Sequence, residues 1–231
     1  MPTSSPSLVL NGADVALDPS GALVWPARRA VVVADLHLEK GSSFACRGGA
    51  VLPPYDSAAT LTRLAAVLAR HRPDTVICLG DSFHDAGGPA RLPPDVAARL
   101  RDLTAAHDWV WIAGNHDPAA PEGLGGRALD SLSLGPLTFR HEANSENAAV
   151  PGEVSGHYHP KATVRVRGRR IQAPCFLADS RRAILPAFGA YTGGLSVLAP
   201  ALRRLVGTEA RAHLLARDSV HTYPLARLVA R

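Results

Sequence analysis

Short apolar runs alternate with turn-forming residues at the start of the chain. Residues 8–10, 15–17 and 23–25 are apolar, and Asn11-Gly12 and residues 18–21 separate them. Asn, Gly, Asp and Pro between apolar runs of this length are typical of tight turns between strands. The pattern therefore predicts a meander of three strands.

In the next segment, two continuous apolar runs flank a stretch in which apolar residues recur at helical spacing. Residues 31–34 and 75–79 are continuous apolar runs, as in strands that are buried on both faces. Between them, apolar residues recur at the spacing that places them on one face of a helix. These positions are Ala58, Leu61, Leu64, Ala65 and Leu68. Strand, helix and strand in this order predict a βαβ unit with parallel strands.

A second helix and further strands complete the predicted fold. We expect this helix from residue 94 to about residue 106, with Val96, Leu100 and Leu103 facing inward, followed by a strand at 109–113. From residue 137 onward, short apolar runs follow one another without helical spacing. They predict strands at residues 137–140, 154–155, 163–166, 171–177, 183–186 and 196–198. The predicted fold class is α/β, with two packed mixed sheets flanked by helices, in a single domain over residues 1–231.

Polar residues of one chemical kind follow four of the predicted strands. The motifs are Asp-Leu-His at 35–37, Gly-Asp at 80–81, Gly-Asn-His-Asp at 114–117 and Gly-His-Tyr-His at 156–159. Because ligand crevices of α/β sheets open at the carboxyl ends of strands, these side chains are expected to lie together. Burying so many polar groups without partners would cost several kcal/mol for each group. The combination predicts a metal site.

The amino-acid composition favours a globular protein over a membrane or secreted one. The chain has 231 residues, 46 % of them hydrophobic and 19 % charged, which is typical of a globular protein with a substantial core. No apolar run reaches the roughly 18 residues needed to span a membrane, and residues 1–10 lack the pattern of a signal peptide. We therefore expect a cytoplasmic protein without membrane association. The three cysteines are far apart and odd in number, which favours reduced thiols.

The four motifs, in this order, resemble those of the calcineurin-like metallophosphoesterase superfamily. The ligands that the resemblance implies are Asp35, His37, Asp81 and His159 for one metal ion, and Asp81, Asn115, His141 and His157 for a second. Asp81 bridges the two ions in this assignment. His141 belongs to it because the family places a further histidine between the last two motifs, where this chain has only His141.

The ligand types also indicate which metals bind. Imidazole nitrogens combined with carboxylate and amide oxygens suit Mn, Fe or Zn, whereas Mg and Ca prefer oxygen ligands alone. We expect two divalent transition-metal ions, with manganese as the first choice and iron or zinc as alternatives. Two such ions about 3.5–4 Å apart activate a hydroxide and neutralise the phosphate oxygens. The expected reaction is hydrolysis of a phosphoester.

The resemblance implies catalytic roles for three further residues. His116 corresponds to a histidine that protonates the leaving oxygen, and Asp117 would hold the ring of His116 in place. Residues 80–85 resemble a version of the second motif found in double-strand-break repair nucleases, in which His84 contacts the scissile phosphate. The alternative for His84 is a histidine in a surface loop. Four other histidines match no motif and are expected on the surface; they are His71, His107, His213 and His221.

Stretches around the metal motifs are similar to one bacterial clade, the DNA-ligase-associated metallophosphoesterases, also called ligase-associated DNA damage response endonucleases. The stretches are residues 35–41, 52–56, 155–161, 174–176 and 185–194. The resemblance implies a manganese-dependent phosphodiesterase with nuclease activity in DNA repair. The implied partners are DNA, single-stranded or looped, and functionally a DNA ligase and a helicase.

Basic residues supply candidates for phosphate binding. The net charge is +5, and residues 161–182 contain seven Lys or Arg residues and one acidic residue. Arg165 and Arg167 alternate with Val166 as on one face of a strand, so they can follow a phosphate backbone; a solvated outer face is the alternative. Lys40 and Arg47, in the loop after the first motif, are expected near the substrate, again with a surface position as the alternative. Since only 5 % of residues are aromatic, no stacking platform is obvious, and sequence-specific reading of bases is not indicated.

Two other functions remain open at this point. The metal motifs do not distinguish DNA from a small phosphodiester or a phosphomonoester, such as a nucleotide or cyclic nucleotide, because the scissile group is the same. We expect a chain of this length to lack a cap domain that encloses a small ligand, which favours an open crevice for a polymer. The other alternative is a catalytically inactive scaffold; relatives of that kind are expected to lose metal ligands, which this chain retains.

Overall fold

Two β-sheets face each other in the computed structural model, which describes residues 6–48, 52–117, 121–145 and 151–230. Apolar side chains from both sheets, including Val32, Val110, Phe139 and Phe176, form one buried cluster between them. Helices cover the outer face of the first sheet. The predicted fold class is confirmed. That one domain takes in all of residues 1–231 stays a prediction.

The first sheet follows the order of the chain from one edge to the other. Neighbouring strands are antiparallel from the first to the fourth and parallel from the fourth to the seventh. Within the described ranges its strands are β1 (Ser7–Leu10), β2 (Ala13–Leu17), β3 (Leu23–Trp25), β4 (Ala30–Val33), β5 (Thr75–Cys78), β6 (Asp108–Ile112) and β7 (Arg127–Leu129). The predicted meander and βαβ unit are both present.

Side chains along β4 alternate between two buried environments. Val32 faces the second sheet, whereas Val31 and Val33 face the helices, so the whole strand is apolar. The helices of the described residues are α1 (Lys40–Cys46), α2 (Asp56–His71), α3 (Gly88–Arg91), α4 (Pro94–Ala105) and α5 (Pro200–Arg203). Leu61 and Leu64 of α2 and Leu100 of α4 are fully buried against the first sheet, as their spacing predicted.

The second sheet is built from the later part of the chain. Its described strands are β8 (Ser131–Leu134), β9 (Leu137–Arg140), β10 (Glu153–Ser155), β11 (Lys161–Val166), β12 (Arg169–Ala178), β13 (Arg182–Ile184), β14 (Arg211–Leu215) and β15 (Val220–Pro224). They lie in the order β15-β14-β12-β13-β10-β9-β8, and β11 pairs with β12. β10 runs parallel to both of its neighbours, β9 and β13.

β11 and β12 form a hairpin that extends beyond the second sheet, here called the arginine hairpin (residues 161–174). Only residues 175–178 of β12 pair with β14, whereas residues 169–174 pair with β11 alone. The hairpin starts at Lys161, two residues after His159. Its base is held by backbone hydrogen bonds to Leu195 and Val197, and Val229 donates to Thr163 at the C-terminal end of the described chain.

The structure corrects several expectations. Residues 196–198 are not a strand, because Ser196 makes one isolated bridge to Lys161 before the chain turns into α5. Lys40 lies in helix α1 rather than in a loop, and Arg47 is the residue that follows this helix. His213, expected on the surface, is 5 % exposed because β14 is covered on both sides. Burial lowers its pKa to about 4.

Candidate active site

The four motifs meet at one edge of the molecule, between the two sheets. They follow the carboxyl ends of β4, β5, β6 and β10. Backbone hydrogen bonds join the loops to one another: the N–H of His37 donates to the carbonyl of Asp81, and the N–H of Gly156 donates to that of His141, both at 2.9 Å. The expected convergence of the strand ends is therefore observed.

One cluster of potential metal ligands contains Asp35, His37 and His159. The Nε2 atoms of His37 and His159 are 3.2 Å apart, and Nε2 of His159 lies 3.5 Å from Oδ1 of Asp35. Asp35 is fully buried, and His37 is 6 % exposed. Burial, with contributions from His159 and Lys40, lowers the pKa of His37 to about 2. The ring is therefore neutral, which is the form that binds metals.

A second cluster contains Asp81, His141 and His157. Nε2 of His141 lies 3.1 Å from Nδ1 of His157 and 3.5 Å from Oδ1 of Asp81. Nδ1 of His141 donates to the carbonyl of Leu79 at 2.8 Å, so Nε2 carries the free lone pair. A backbone acceptor of this kind is the usual second partner of a metal-binding histidine.

Asp81 lies between the two clusters. Its Oδ1 faces His141, and its Oδ2 lies 3.9 Å from Nε2 of His37. The carboxylate is fixed by the N–H of His116, which donates to Oδ1 at 2.9 Å. Asp35 is fixed in the same way by the N–H of His157, which donates to both of its carboxylate oxygens at 3.1 and 2.9 Å. Each carboxylate is therefore oriented by the backbone of another motif.

The ligand residues have an unusual backbone conformation. Five of them have positive φ angles, between 43° and 69°; they are Asp35, His37, Asp81, His157 and His159. Residues other than glycine adopt this left-handed region at a cost, and such strain concentrates at functional sites. Gly156 is required beside them, because a Cβ there would lie 2.6 Å from Oδ2 of Asp35. The surrounding fold therefore holds the ligands in place before any ion binds.

These residues fit a pair of transition-metal ions. Each cluster combines one carboxylate with two imidazoles, and its donor atoms lie within 4.8 Å of one another. This mixture of nitrogen and oxygen donors suits Mn, Fe or Zn. Asn115 is exposed and lines, with His141, an open cavity of about 330 Å³ at the second cluster. The structure thus brings six of the seven residues expected to bind metal into two clusters and places Asn115 at the cavity beside the second; that these residues bind metal stays a proposal.

His116 and His84 lie at the open side of the clusters. Their rings stack with centroids 5.1 Å apart and 23° between planes, and the ring of His37 is 5.3 Å from His116. Nδ1 of His116 donates to the carbonyl of His84 at 2.7 Å. Nε2 is then the nitrogen that faces the clusters, 3.9 Å from Oδ2 of Asp81, and the side chain is 45 % exposed.

Asp117 does not hold the ring of His116, contrary to expectation. Its Oδ2 accepts the N–H groups of Ser82 and Phe83 at 2.8 and 3.0 Å, so it supports the turn after β5. Burial raises the pKa of Asp117 to about 7, although these two N–H groups oppose the shift. Instead, the carbonyl of His84 holds the ring of His116 by accepting the hydrogen bond from Nδ1. The sequence carries no signal for that contact, because a backbone carbonyl is the same in every residue.

The candidate phosphate-binding residues lie in two places. Lys40 and Arg47 are close enough to His84 to lower its pKa together with burial, which is the main cause. Arg165 and Arg167 lie at the exposed end of the arginine hairpin. They do not share a strand face, because Arg165 is in β11 and Arg167 is in the turn that follows it. Arg182 contributes to neither surface, since it is buried.

A family model and a solved nuclease structure agree with this geometry. A family model for calcineurin-like phosphoesterases matches residues 28–169. The crystal structure of Pseudomonas putida nuclease MPE matches with a TM-score of 0.71 and 32 % identity, over 94 % of this chain and 100 % of that chain. Yfce, a phosphoesterase from E. coli, matches with a TM-score of 0.44 and 16 % identity, over 85 % and 98 % of the two chains. Among curated proteins, none matches significantly.

Proposed function

Because the chain belongs to the calcineurin-like phosphoesterase family, we propose that it is a two-metal phosphodiesterase that cleaves DNA. Family membership makes it a metal-dependent phosphoester hydrolase. The observation that supports DNA as the substrate is the similarity to a nuclease at 32 % identity over the whole of that chain. The proposal includes manganese as the metal and single-stranded or looped DNA as the substrate.

The proposal also includes the setting in which the enzyme acts. It assigns the protein to DNA repair in the cytoplasm, in functional association with a DNA ligase and a helicase. The cysteines Cys46, Cys78 and Cys175 are free thiols, as is usual for cytoplasmic proteins. Within the described ranges, no helix is long and apolar enough to cross a membrane.

The ligand residues divide between two ions. Asp35, His37 and His159 would hold one, and His141, His157 and Asn115 would hold the other. The carboxylate of Asp81 lies between the two clusters and would serve both ions. When bound, two ions of this kind lower the pKa of the attacking water and neutralise charge on the phosphate. The buried carboxylates are already oriented by backbone N–H groups, so little reorganisation is required.

Two histidines act on the substrate from the open side. The hydrogen bond from Nδ1 of His116 to the carbonyl of His84 directs Nε2 of His116 toward the clusters, where it can protonate the leaving oxygen. The ring of His84 contacts the scissile phosphate. Lys40 and Arg47 bind phosphate next to the metal site, and Arg165 and Arg167 bind the DNA backbone farther away.

One experiment tests the proposal directly. Purified protein is freed of metal, then assayed with and without added Mn²⁺ on a small phosphodiester and on single-stranded and looped DNA, with Asn115→Ala as the blank. We expect metal-dependent cleavage of both substrate classes and none with Asn115→Ala. Hydrolysis of the small diester with all DNA left intact would overturn DNA as the substrate and move the function to small phosphodiesters. Release of phosphate only from monoesters would overturn the diesterase assignment.

A further inference from the structure

Helix α1 and the residue that follows it present a line of three side chains beside the candidate metal ligands. Lys40, Phe44 and Arg47 follow one another at spacings of four and three residues, so they project from the same side of the helix. The Lys40 ammonium lies 5.9 Å from the centroid of the Phe44 ring. An aromatic ring between two cations combines the groups that bind single-stranded nucleic acids, which are stacking surfaces and positive charges.

Phe44 extends a column of rings that begins at the active site. Its ring stacks on His84 with centroids 5.6 Å apart and 28° between planes, and His84 stacks on His116 in turn. The Phe44 ring is half-buried, so part of its surface is open. The column thus leads from the proposed proton donor, His116, to an accessible apolar ring.

The position of α1 is fixed by buried polar contacts. The carboxylate of Asp56 accepts the N–H of Gly41 at 2.9 Å, and Ser57 donates to the buried Glu39 at 2.8 Å. Nε of Arg91 donates to the hydroxyl of Ser42 at 3.0 Å. These contacts join the start of α1 to residues of α2 and α3, and so position Phe44 against His84.

From these contacts we propose that Phe44 stacks on the nucleobase next to the scissile phosphate. The inference rests on the proposed function and adds a base-binding subsite to it. The base continues the column formed by Phe44, His84 and His116, while the Lys40 and Arg47 side chains bind the flanking phosphates. Stacking of this kind tolerates any base, because every base has a π-face. The subsite therefore binds an unpaired nucleotide without reading its sequence.

Of the two cations, Arg47 is expected to bind its phosphate less firmly than Lys40. Its guanidinium is 68 % exposed and lies 3.4 Å from Asp85, which also binds Arg91 at 2.7 Å. Lys40 is half-buried, so binding a phosphate orders its side chain less than it orders the exposed side chain of Arg47. We therefore expect the phosphate on the Lys40 side to be held more firmly than the one on the Arg47 side.

The test compares substrates that differ only in their bases. The wild type, Phe44→Leu and Phe44→Trp are assayed on oligo-dT, on an oligonucleotide of the same length with abasic residues, and on methyl p-nitrophenyl phosphate. We expect Phe44→Leu to lower kcat/KM on oligo-dT about 5- to 100-fold and to leave the other two rates within about twofold. The Phe44→Trp variant, which keeps an aromatic ring at this position, should cleave oligo-dT about as fast as the wild type. Tyr223→Leu, on the distant strand β15, serves as the matched control and cleaves all three substrates as the wild type does.

Fluorescence supplies a second measurement on the Phe44→Trp variant. The native Trp25, Trp109 and Trp111 are at most 3 % exposed, so the new indole dominates any change caused by a ligand. We expect quenching by oligo-dT and none by the abasic oligonucleotide.

The possible results separate this inference from the proposed function. If the wild type cleaves oligo-dT and Phe44→Leu cleaves it equally well, the stacking subsite is wrong. Equal losses on all three substrates also overturn it, because Phe44 would then only support His84. If the wild type hydrolyses the small diester but neither oligonucleotide, the proposed function is wrong and the subsite has no nucleic-acid substrate.

Discussion

At the scale of single residues, the backbone determines where the reactive side chains point. N–H groups of His116 and His157 orient the carboxylates of Asp81 and Asp35, and the carbonyls of His84 and Leu79 orient the rings of His116 and His141. Each side chain is therefore positioned by an atom that nearby substitutions do not remove. Replacing one of these side chains should change the chemistry more than the local structure.

Replacing His116 tests the role of the proton donor. His116→Ala should lower kcat on an alkyl phosphodiester about 100- to 10,000-fold, because the alkoxide leaves poorly without a proton. The loss should be much smaller with p-nitrophenol as the leaving group. His221→Ala, an exposed histidine of β15, is the control. Full turnover of the alkyl ester by His116→Ala would show that another group donates the proton.

A buried carboxylate outside the active site links stability to pH. Asp18, in the turn between β2 and β3, is 2 % exposed. Its oxygens lie 2.8 Å from Nε2 of His71 and 2.9 Å from the N–H of Ser20. Burial alone would raise the pKa of Asp18, but hydrogen bonds from Ser20 and His71, together with Arg70, lower it.

The lowered pKa fixes the direction of the pH dependence. The ionised carboxylate stabilises the folded protein above the unfolded pKa of about 4, and this stability is lost as the pH falls through the lower folded pKa. Asp18→Asn should reduce the free energy of unfolding by about 1–3 kcal/mol at pH 7 and by less at pH 3. Denaturant titrations at both pH values measure this, with the exposed Asp14→Asn as the control. An equal loss at both pH values would contradict the assignment.

At the scale of elements, a buried ion pair joins β10 to β13. Nε of Arg182 lies 2.8 Å from Oε1 of Glu153, and the two residues are 3 % and 0 % exposed. Glu153 also accepts the N–H of Asn144, in the segment that follows His141. The pair therefore supports both the strand pairing and the loop beside the second metal cluster.

Removing one partner of this pair leaves a buried charge without its nearest counter-ion, although Arg140 lies 3.5 Å from Glu153 on the other side. Glu153→Gln and Arg182→Met should each lower the free energy of unfolding by about 3–5 kcal/mol, and the double variant should lose less than the sum. The exposed pair Arg127–Asp108 is the comparison, and Arg127→Ala there should cost less than about 1 kcal/mol. Strict additivity at Glu153 and Arg182 would show that the two side chains do not interact.

The arginine hairpin places like charges opposite one another. Arg165 of β11 and Arg170 of β12 are direct cross-strand partners, an arrangement that destabilises a hairpin unless an anion binds. The chain has no acidic residue between Glu153 and Asp179. These charges therefore favour a polyanion as the partner of this surface.

Charge reversal on the hairpin should change the salt dependence of DNA binding. Arg165→Glu and Arg167→Glu should each reduce the slope of log K against log salt concentration by about 0.7 for single-stranded DNA, since one phosphate contact is lost. Arg217→Glu, which makes the same change of charge at a residue that is 96 % exposed elsewhere, should leave the slope unchanged. Unchanged slopes in the hairpin variants would remove Arg165 and Arg167 from the DNA-binding surface.

The elements that were predicted from the sequence are those with a strong apolar period. β4 and β5 are continuous apolar runs, and α2 has apolar residues at helical spacing. All three elements are buried, so these patterns were sufficient to predict them. β8 and β15 were missed because most of their side chains are partly or fully exposed, which weakens the alternation. α1 was missed because its sequence, KGSSFAC, has no helical period, and contacts from Asp56 and Ser57 hold it instead.

At the scale of the whole molecule, the two clusters of candidate metal ligands lie where the two sheets meet. Asp35 and Asp81 come from the first sheet, and His141, His157 and His159 come from the second. The strand ends were predictable, because each carries a recognisable motif. The positive φ angles and the hydrogen bond from His157 to Asp35 were not, since they depend on how the sheets pack.

Metal removal should therefore weaken the junction of the sheets. With ions at about 100 times their Kd, binding adds about 2.7 kcal/mol to the free energy of unfolding per site, so chelation should lower the Tm. Elemental analysis should find two ions in the wild type, fewer in His159→Ala, and fewest in Asp81→Ala, which removes the shared carboxylate. The exposed His221→Ala is the control and should retain both. Two ions in Asp81→Ala would exclude a bridging role.

The arginine hairpin has a further consequence for how products leave. Its six-residue strand β11 is about 20 Å long and begins two residues from His159, so the reactive centre and the distant cations are joined by one rigid element. If the chain cleaves DNA as proposed, a long strand of DNA reaches both ends of this element at once, whereas a short fragment reaches only one. We therefore expect cleavage of DNA to lower the affinity of the enzyme for its product, so that product inhibition is weaker on long chains than on short ones.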